Sequence, residues 1–430
     1  MSRMLNGMVG VASLTLVLTA QASAGGLWFY EQSTPDQGTA AAGRAAMARD
    51  ASTAYGNPAG MARLDTSQLL IGAGALVIQS QFDTEPGTTV GGGGSNLTSA
   101  LPSLSGFYVY NLARDWKLGV AVVPLMGLAI DYGDSWAGRY IIEKESLITL
   151  AFNPVVSYRV TDWLSVGGGM SVVGGFLKSN QAINNADPAV GDGELKLRST
   201  AIGFGGNVGV LVEPIKGTRF GVTWRSPVNL HFNDIINEVN NLGPGADLIL
   251  DILGQRFNVP RGSKFDVAVV NPQEMMFSVY HDLTPQLAVM GNFGWQNWAS
   301  FGNAAVTIHG TNTINASTDL HFSNTYHFAI GGMYRVAPAW LLTAGFAYDT
   351  SPVSESNRTV MLALDRQIRY SAGVQYDLSK SMTLGVAYTL ISLGDAPVNQ
   401  NAGPLQGTVV GHYAPNFVHA IGLNFTKRFE

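Results

Sequence analysis

Hydrophobic and polar residues alternate along most of this chain, and residues typical of turns separate the alternating runs. In one run Phe220, Val222 and Trp224 share a face, while Arg219 and Arg225 share the opposite face. A period of two residues is typical of a β-strand whose two faces meet different surroundings. The pattern predicts fourteen strands, over 67–82, 103–112, 116–131, 141–160, 164–178, 194–213, 219–232, 264–281, 286–301, 320–336, 340–350, 366–378, 381–393 and 417–429.

The connections between these strands alternate in length. Tight turns such as 113–115 and 379–380 follow the even-numbered strands, and long segments such as 83–102 follow the odd-numbered ones. Short turns at one end and long loops at the other are typical of outer-membrane barrels, which have an even number of strands. We therefore expect an all-β fold, a transmembrane antiparallel β-barrel of about fourteen strands over 67–430, with its N-terminus on the periplasmic side.

The composition agrees with a protein surrounded by lipid. Charged residues make up 13% of the chain, about half of the roughly 25% typical of soluble proteins. No later segment has the uninterrupted apolar length of a membrane-spanning helix. The chain has no Cys, which excludes disulfides and thiolate metal sites. A net charge of −5 gives no reason to expect nucleic acid as a partner.

The segment before the first strand has no strand pattern. Arg3, the apolar stretch Val9–Ala20 and the Ala22-Ser23-Ala24 motif indicate a signal peptide over residues 1–24. Residues 25–66 then form a segment rich in small residues. An open porin has no need of such material, so we expect this segment to enter the barrel lumen from the periplasmic side.

The third predicted strand is interrupted by Pro124, with Gly127 three residues later. Proline removes a donor from the ladder, and a closed barrel has no free edge where that loss is harmless. One interpretation is a bulge near the rim of the barrel. The other is a kink that separates two neighbouring strands and opens the lumen sideways into the membrane.

The long loop 233–263 contains two apolar stripes at helical spacing, separated by Gly243-Pro244-Gly245. Two amphipathic helices are expected there. They either pack against each other or form an apolar groove at the cell surface where a hydrophobic molecule adsorbs. The candidate groove residues are Ile235, Ile236, Val239, Leu242, Leu248, Ile249, Ile252 and Leu253.

Catalytic and metal chemistry have little support in the sequence. His321-Phe322-Ser323-Asn324 is similar to the H-x-S-N element of outer-membrane phospholipases, which Gly usually follows, whereas Thr325 follows here. The seven His residues are scattered and form no metal-ligand spacing. We therefore expect no enzyme activity, no metal and no cofactor.

Several motifs occur in the order in which they occur in one family. They are Tyr30-Glu31-Gln32-Ser33, Asp50-Ala51-Ser52-Thr53, Asn57-Pro58-Ala59-Gly60, Trp136-Ala137-Gly138-Arg139-Tyr140, Phe152-Asn153-Pro154, Leu164-Ser165-Val166-Gly167-Gly168-Gly169, Trp298-Ala299-Ser300-Phe301, Ala347-Tyr348-Asp349-Thr350-Ser351-Pro352-Val353 and Asn357-Arg358-Thr359. On these motifs the chain resembles the FadL-type transporters of Gram-negative outer membranes, which carry long-chain fatty acids or aromatic hydrocarbons.

The resemblance implies a barrel plugged by an N-terminal hatch, an external groove, an inner pocket and a lateral opening at a kinked third strand. Asn57, Pro58 and Ala59 match the hatch motif, and Gly127 falls in the kink region. We therefore expect a monomeric, multi-pass outer-membrane channel for passive uptake of a hydrophobic molecule, most of all a long-chain fatty acid, in contact with outer-membrane lipids. A polar-solute porin and an outer-membrane lipase are the alternatives. Family members commonly end on an aromatic residue, whereas Glu430 follows Phe429 here.

Overall fold

The computed structural model describes residues 29–185, 187, 189–248, 251, 263–310, 313–362 and 364–429. The predicted signal peptide and Glu430 lie outside these residues. The strands are β1 Gln68–Thr84, β2 Ser95–Asn111, β3 Trp116–Asp131, β4 Lys144–Arg159, β5 Leu164–Ile183, β6 Gly193–Ile215, β7 Thr218–Arg225, β8 Val228–Phe232, β9 Ile236–Asn240, β10 Lys264–Asn271, β11 Glu274–Asp282, β12 Leu287–Gln296, β13 Asn303–His309, β14 Thr313–Asp319, β15 Thr325–Ala337, β16 Trp340–Asp349, β17 Gln367–Ser379, β18 Met382–Ser392, β19 Val398–Asn401 and β20 Thr408–Arg428.

The helical elements are short. They are α-helices over Thr34–Gly38, Thr53–Gly56 and Trp298–Phe301, 3₁₀ turns over Pro58–Arg63 and Glu355–Asn357, and a helical stretch over 244–248. None of the described helices has the length and apolar character needed to cross a membrane.

The barrel closes when β1 pairs with β20. The closed ring runs β1-β2-β3-β4-β5-β6-β7-β11-β12-β15-β16-β17-β18-β20, and neighbouring strands are antiparallel. This confirms the predicted barrel of fourteen strands. Its connections also alternate as expected: β2 and β3 are joined by four residues and β15 and β16 by two, whereas 226–273 and 297–324 are long. We call the two ends of the barrel the short-turn end and the long-loop end.

Several predicted strands differ in extent from the observed ones, and a proline is the cause in two of them. The run 219–232 breaks at Pro227, and the run 264–281 breaks at Pro272. Since proline cannot donate to a central ladder, the chain leaves the barrel wall at both points. The released segments β8 and β10 join β13 and β14 in a separate four-stranded sheet. Leu230 and Phe232 of this sheet lie against the lumen face of the wall at Gly175.

The outer face of the barrel is apolar. Ile202, Phe204 and Ile330 are each more than 60% exposed, as expected for side chains that contact lipid. Aromatic residues cluster at the short-turn end, where Trp116 lies 4.5 Å from Tyr158 between ring centroids. Such a girdle is typical of the membrane interface in outer-membrane barrels.

Candidate functional site

The N-terminal segment, residues 29–64, contacts strands all round the barrel. Thr34–Gly38 packs against β16, β17, β18 and β20, and Pro58–Arg63 packs against β3, β4, β5 and β6. Its side chains are almost wholly buried, including Tyr30, Tyr55 and Met61 at 2% exposure or less. Gly and Ala supply much of the segment, so the chain can pass close to the surrounding strands.

The Asn57-Pro58-Ala59 motif fastens this segment to one part of the wall. Asn57 Nδ2 donates to the carbonyl oxygens of Ala45 at 2.7 Å and Val210 at 3.0 Å, and Asn57 Oδ1 accepts from the backbone of Ala59. Ser165 Oγ donates to Ala59 O at 2.9 Å. A Cβ atom at Gly209 would lie 2.1 Å from Asn57 Oδ1, so only glycine allows this close approach.

An ion pair holds the segment to itself. Arg44 lies 3.2 Å from Asp36, and both side chains are less than 10% exposed. Burial raises the pKa of Asp36 to about 6, although Arg44 acts in the opposite direction. Arg44 also donates to Gln32 Oε1 at 2.5 Å. The Arg44 guanidinium therefore joins its own part of the segment to Asp36 and to Gln32. A buried charge without such partners would destabilise the fold.

A row of buried polar side chains crosses six neighbouring strands at the long-loop end of the barrel wall. Cross-strand pairing joins Arg225 to Glu274 and Glu274 to Gln296, and farther along it joins His327 to Asp349. All face the lumen and are at most 8% exposed. We call this set the polar row, and it comprises Arg225, Glu274, Gln296, Thr325, His327, Asp349, Gln367 and Arg369.

The start of the N-terminal segment bonds to the polar row. Glu31 Oε1 accepts from Arg369 Nε at 3.2 Å, and Arg369 also pairs with Asp349. Tyr30 OH accepts from Gln296 Nε2 at 2.8 Å, and its ring lies 4.4 Å from that of His327. Glu31, the charged residue of the Tyr30–Ser33 motif, therefore lies against the buried guanidinium of Arg369.

Sequence reasoning did not assign a role to the polar row. A signal was present, because Arg369 and Asp349 are charged residues within predicted barrel strands of a chain that is poor in charge. Charges inside membrane-spanning segments face the interior and are typically functional. Which of them meet depends on strand register, and register is fixed only by the folded barrel.

Strand β3 has a bulge at Pro124. Pro124 pairs with Leu150 of β4 and Met126 pairs with Thr149, so Leu125 is an extra residue. Before the bulge β3 alternates, with Ala121 buried and Val122 exposed, but residues 123–128 are all buried. The strand has therefore moved inward from the lipid-facing wall at this point.

The ladder between β2 and β3 ends where the bulge begins. The two strands pair from Asn111 and Lys117 as far as Gly106 and Val122, and no further pair forms between 100–105 and 123–128. β2 has a proline in the unpaired stretch, Pro102, at a place where no donor is required of it. Towards the long-loop end, a side chain and not the backbone ladder joins the two strands: Ser99 Oγ of β2 donates to Ala129 O of β3 at 2.9 Å. We call this unpaired stretch the β2–β3 split.

The N-terminal segment covers the inner side of the β2–β3 split. Phe29 N donates to Leu125 O at 3.1 Å, and Gln32 Nε2 donates to Pro124 O at 2.7 Å. The bulge carbonyls that lack ladder partners are therefore satisfied by this segment. A Cβ at Gly127 would lie 2.6 Å from the Phe29 ring, so glycine lets the ring pack directly on the strand.

The loop 233–263 differs from the sequence-based expectation. The first expected helix is wrong: Ile236–Asn240 forms β9, which pairs with Glu194–Arg198 of β6. β6 extends beyond β7, and an adjoining β-branched segment satisfies the free edge of such a strand. A helical stretch over 244–248 includes Pro244 and Gly245, which were expected to separate the helices, and reaches only Leu248 of the second stripe.

The candidate groove residues of this loop fall in different environments. Ile235 is 1% exposed and belongs to the interior, whereas Val239 and Leu248 are 42% and 60% exposed. Leu242 is half-buried. The side chain of Ile236, together with Ile249, Ile252 and Leu253, lies outside the described residues.

His321 and Ser323 do not lie on a strand, contrary to the expected strand over 320–336. β15 begins only at Thr325, and both residues are exposed in the preceding loop. His321 Nδ1 lies 3.3 Å from Asp319, and Ser323 donates its backbone N–H to Pro352 O. Among the described residues no group of three His, Asp or Glu side chains has the geometry of a metal site.

Glu145 on β4 is a buried carboxyl group that sequence reasoning missed. It is 3% exposed, and neither carboxyl oxygen has a hydrogen-bond partner among the described residues. A buried polar group without a partner destabilises a fold by about 1–3 kcal/mol. The carboxyl group therefore persists at a cost in stability.

Replacing Glu145 with Leu is expected to raise the free energy of unfolding by about 1–3 kcal/mol, because the desolvation cost disappears. Urea titration of the barrel refolded in lipid vesicles measures the change. Glu274→Leu is the matched control, since Glu274 is 5% exposed but pairs with Arg225 at 3.6 Å. That variant should lose stability, by about 3–5 kcal/mol, because it leaves a buried guanidinium unpaired. Equal losses in both variants would contradict the interpretation.

Comparison with known proteins gives a consistent family. Residues 15–429 match the family described as outer membrane protein transport protein (OMPP1/FadL/TodX). A long-chain fatty acid transport protein of Escherichia coli O6:H1 is 26% identical over 406 residues, covering 88% of this chain and 90% of the relative. Outer membrane protein P1 of Haemophilus influenzae is 23% identical over 426 residues, covering 89% of each.

Solved structures share the fold. A Pseudomonas aeruginosa FadL homologue superimposes with a TM-score of 0.82 at 20% identity, covering 95% of this chain and all of that one. The toluene transporter TodX of Pseudomonas putida gives a TM-score of 0.68 at 14% identity, covering 94% and 100%. The chain therefore belongs to the OMPP1/FadL/TodX family of outer-membrane transport proteins.

Proposed function

We propose that this protein is a passive outer-membrane channel for hydrophobic small molecules, most of all long-chain fatty acids. Residues 25–66 are its hatch, and the β2–β3 split is its lateral exit. The observation that carries the proposal is that the hatch residues Phe29 and Gln32 bond to the bulge carbonyls at the split. A gate and an exit are then in direct contact.

A lateral exit suits an apolar cargo. A molecule that leaves the lumen between strands enters the bilayer directly and never has to cross the aqueous short-turn mouth. Leu101 and Phe29 both lie beside Gly127 in the split, so the exit is lined by apolar side chains. Such a path does not suit a polar solute, because transfer of a polar molecule into the hydrocarbon layer is unfavourable.

The hatch explains selectivity against ions. Its described side chains are buried against strands on every side of the ring, which supports a blocked lumen, and hatch rearrangement is the proposed gate. One barrel encloses one hatch, so the proposed route needs a single chain. Cargo would first adsorb at the long-loop end, where Val239 and Leu248 are exposed on the loop 226–273.

The relatives support a hydrophobic cargo. One relative is a long-chain fatty acid transport protein, and one structural neighbour is a toluene transporter. We propose the fatty acid class for this chain, and the alkane and aromatic classes are the alternatives.

Uptake of radiolabelled oleate by cells that lack their own fatty acid transporter tests the proposal. Expression of this protein should raise uptake at least about tenfold, whereas uptake of a sugar of similar mass should not change. Ser323→Ala should transport as well as the unaltered protein, and release of free fatty acid from phospholipid should be absent in both. Sugar uptake without oleate uptake would instead indicate a polar-solute porin.

A further inference from the structure

Two cations face each other across the β5–β6 ladder on the outer, lipid-facing side of the barrel. Lys178 of β5 lies directly opposite Arg198 of β6, and both side chains are exposed. The preceding residues, Leu177 and Leu197, are buried on the lumen side. Like charges that lie directly opposite each other in a ladder destabilise it. An anion bound between Lys178 and Arg198, which we call the outer cation pair, would remove this repulsion.

The protein neutralises only part of the charge on this surface. Arg198 Nη2 pairs with Glu238 of β9, and Arg198 Nε and Nη1 have no partner among the described residues. Lys178 forms no ion pair within the described part of the chain. The neighbouring cations differ, because each has a carboxylate at 2.8 Å, in the pairs Lys144–Asp131 and Lys196–Glu194.

The outer cation pair lies at the depth of lipid head groups. On β5, Lys178 is twelve residues beyond Val166, and Val166 pairs with Tyr158 of the aromatic girdle at the short-turn end. A strand tilted by about 40° rises about 30 Å over that length, whereas the apolar band of a barrel is about 25 Å tall. Lys178 is therefore just above the hydrocarbon layer at the long-loop end, which faces the cell surface in outer-membrane barrels.

An apolar groove lies on the outer wall beneath the outer cation pair. Gly174 of β5 forms its floor, between Leu150 of β4 and Ile202 of β6, whose side chains are exposed. A Cβ atom at Gly174 would lie 3.8 Å from the Phe176 ring, so the space over this glycine is open. β4 and β6 are two strand spacings apart, about 9.5 Å, which leaves room for one extended hydrocarbon chain. Groove and cations thus match the acyl chain and the head group of one lipid.

We propose that Lys178 and Arg198 bind a phosphate group of a glycolipid in the outer leaflet, and that one acyl chain of this lipid occupies the groove at Gly174. The ammonium and the free guanidinium atoms donate to phosphate oxygens, and such charge-assisted bonds are about twice as strong as neutral ones. Ser146 of β4, opposite Lys178, adds a hydroxyl group that can bond to a sugar. The leaflet on the cell-surface side of a Gram-negative outer membrane consists mainly of phosphorylated glycolipid, so this class is favoured over a phospholipid.

Titration of the purified full-length protein in non-ionic detergent with lipid A tests the site. Diphosphorylated lipid A should bind at least about tenfold more tightly than the same lipid without phosphate, and added salt should reduce the difference. The double variant Lys178→Gln with Arg198→Gln should bind the phosphorylated lipid at least about tenfold more weakly and the dephosphorylated lipid as before. Both side chains are exposed, so this variant is expected to fold.

Lys264→Gln with Lys380→Gln is the matched control for charge. Lys264 on β10 and Lys380 at the short-turn end are exposed cations away from the outer cation pair, and their loss should leave lipid binding unchanged. Gly174→Leu fills the groove and should weaken binding of both forms of the lipid about tenfold. Its control is Gly106→Leu on the outer wall of β2, where a Cβ atom would have no neighbour within 4 Å.

Equal binding of phosphorylated and dephosphorylated lipid A, or a preference for phosphate that survives the loss of both cations, overturns the proposal. Tighter binding of phosphatidylglycerol than of lipid A in the same assay would assign the site to a phospholipid and would also overturn it. None of these results bears on the proposed channel, because the site lies outside the barrel wall and the assay does not measure transport.

Discussion

Deleting residues 26–62 is expected to convert the protein from a poor ion conductor into an open aqueous pore. Barrels of about eight strands are filled by their own side chains, whereas those of roughly 16–18 strands enclose a water channel. A ring of fourteen strands is wide enough to need internal material, and residues 29–64 contact strands all round it. Their removal exposes buried wall charges, including Arg225, Arg369 and Asp349, to water.

Single-channel conductance in planar bilayers measures this change, and we expect an increase of at least about tenfold. The ring closes through β1 and β20 without help from the deleted residues, so the deletion variant should still form a barrel. Asn57→Ala is a graded comparison, because it removes the side-chain bonds to Ala45 O and Val210 O and the bond from Ala59 N but leaves the rest of the segment in place. It should produce brief openings, not a permanent pore. An unchanged conductance after the deletion would show that these residues are not the plug.

Removing the bulge of β3 is expected to abolish cargo transport and leave the barrel folded. The variant deletes Leu125 and replaces Pro124 with Thr. Deletion brings residue 124 opposite Leu150 and Met126 opposite Thr149 without an extra residue between them. Thr restores the missing ladder donor, so β3 can straighten and pair with residues 100–105 of β2. The lateral exit is then closed by continuous ladder.

Oleate uptake should fall at least about tenfold in this variant, as expected when the proposed lateral exit is removed. Val122→Thr is the control, because it makes a similar polar change at the last paired position of β3 and leaves the bulge in place. It should transport normally. Heat-dependent mobility in detergent gels verifies that both variants form barrels. Undiminished uptake by the straightened variant would place the exit elsewhere, and an exit through the short-turn end would then be favoured.

These two variants separate the roles of hatch and split. The deletion removes the plug and leaves the split, while the straightened strand closes the split and leaves the plug. Hatch residues Phe29 and Gln32 bond to the bulge itself, so the straightened variant also deprives the hatch of two anchors. A small rise in ion conductance in that variant is therefore expected.

The sequence predicted the strands well where alternation was uninterrupted. β3, β16 and β18 lie within two residues of their predicted bounds at each end. The prediction was wrong at Pro227 and Pro272, where alternating runs continue through a proline. Periodicity describes the faces of a strand and does not record which partner it pairs with. For that reason the four-stranded sheet of β8, β10, β13 and β14 could not be predicted.

The loop 233–263 shows the same limit in another form. Ile235, Ile236 and Val239 have helical spacing, but β-branched residues also suit a strand. The extended edge of β6 supplied a partner for Ile236–Asn240, and the tertiary context decided the outcome. Local spacing alone could not anticipate that edge.

The sequence by itself determined the class of the protein. Strand period, alternating loop length and low charge are local or compositional properties, and they predicted the outer-membrane barrel, whereas the Asn57-Pro58-Ala59 motif led to the proposal of a hatch. Only the tertiary structure decided how Glu31, Asp349 and Arg369 meet, and where the β2–β3 ladder stops. The contact between Glu31 and Arg369 joins residues 338 positions apart in the chain, and a shift of one residue in register would turn a lumen-facing charge towards lipid.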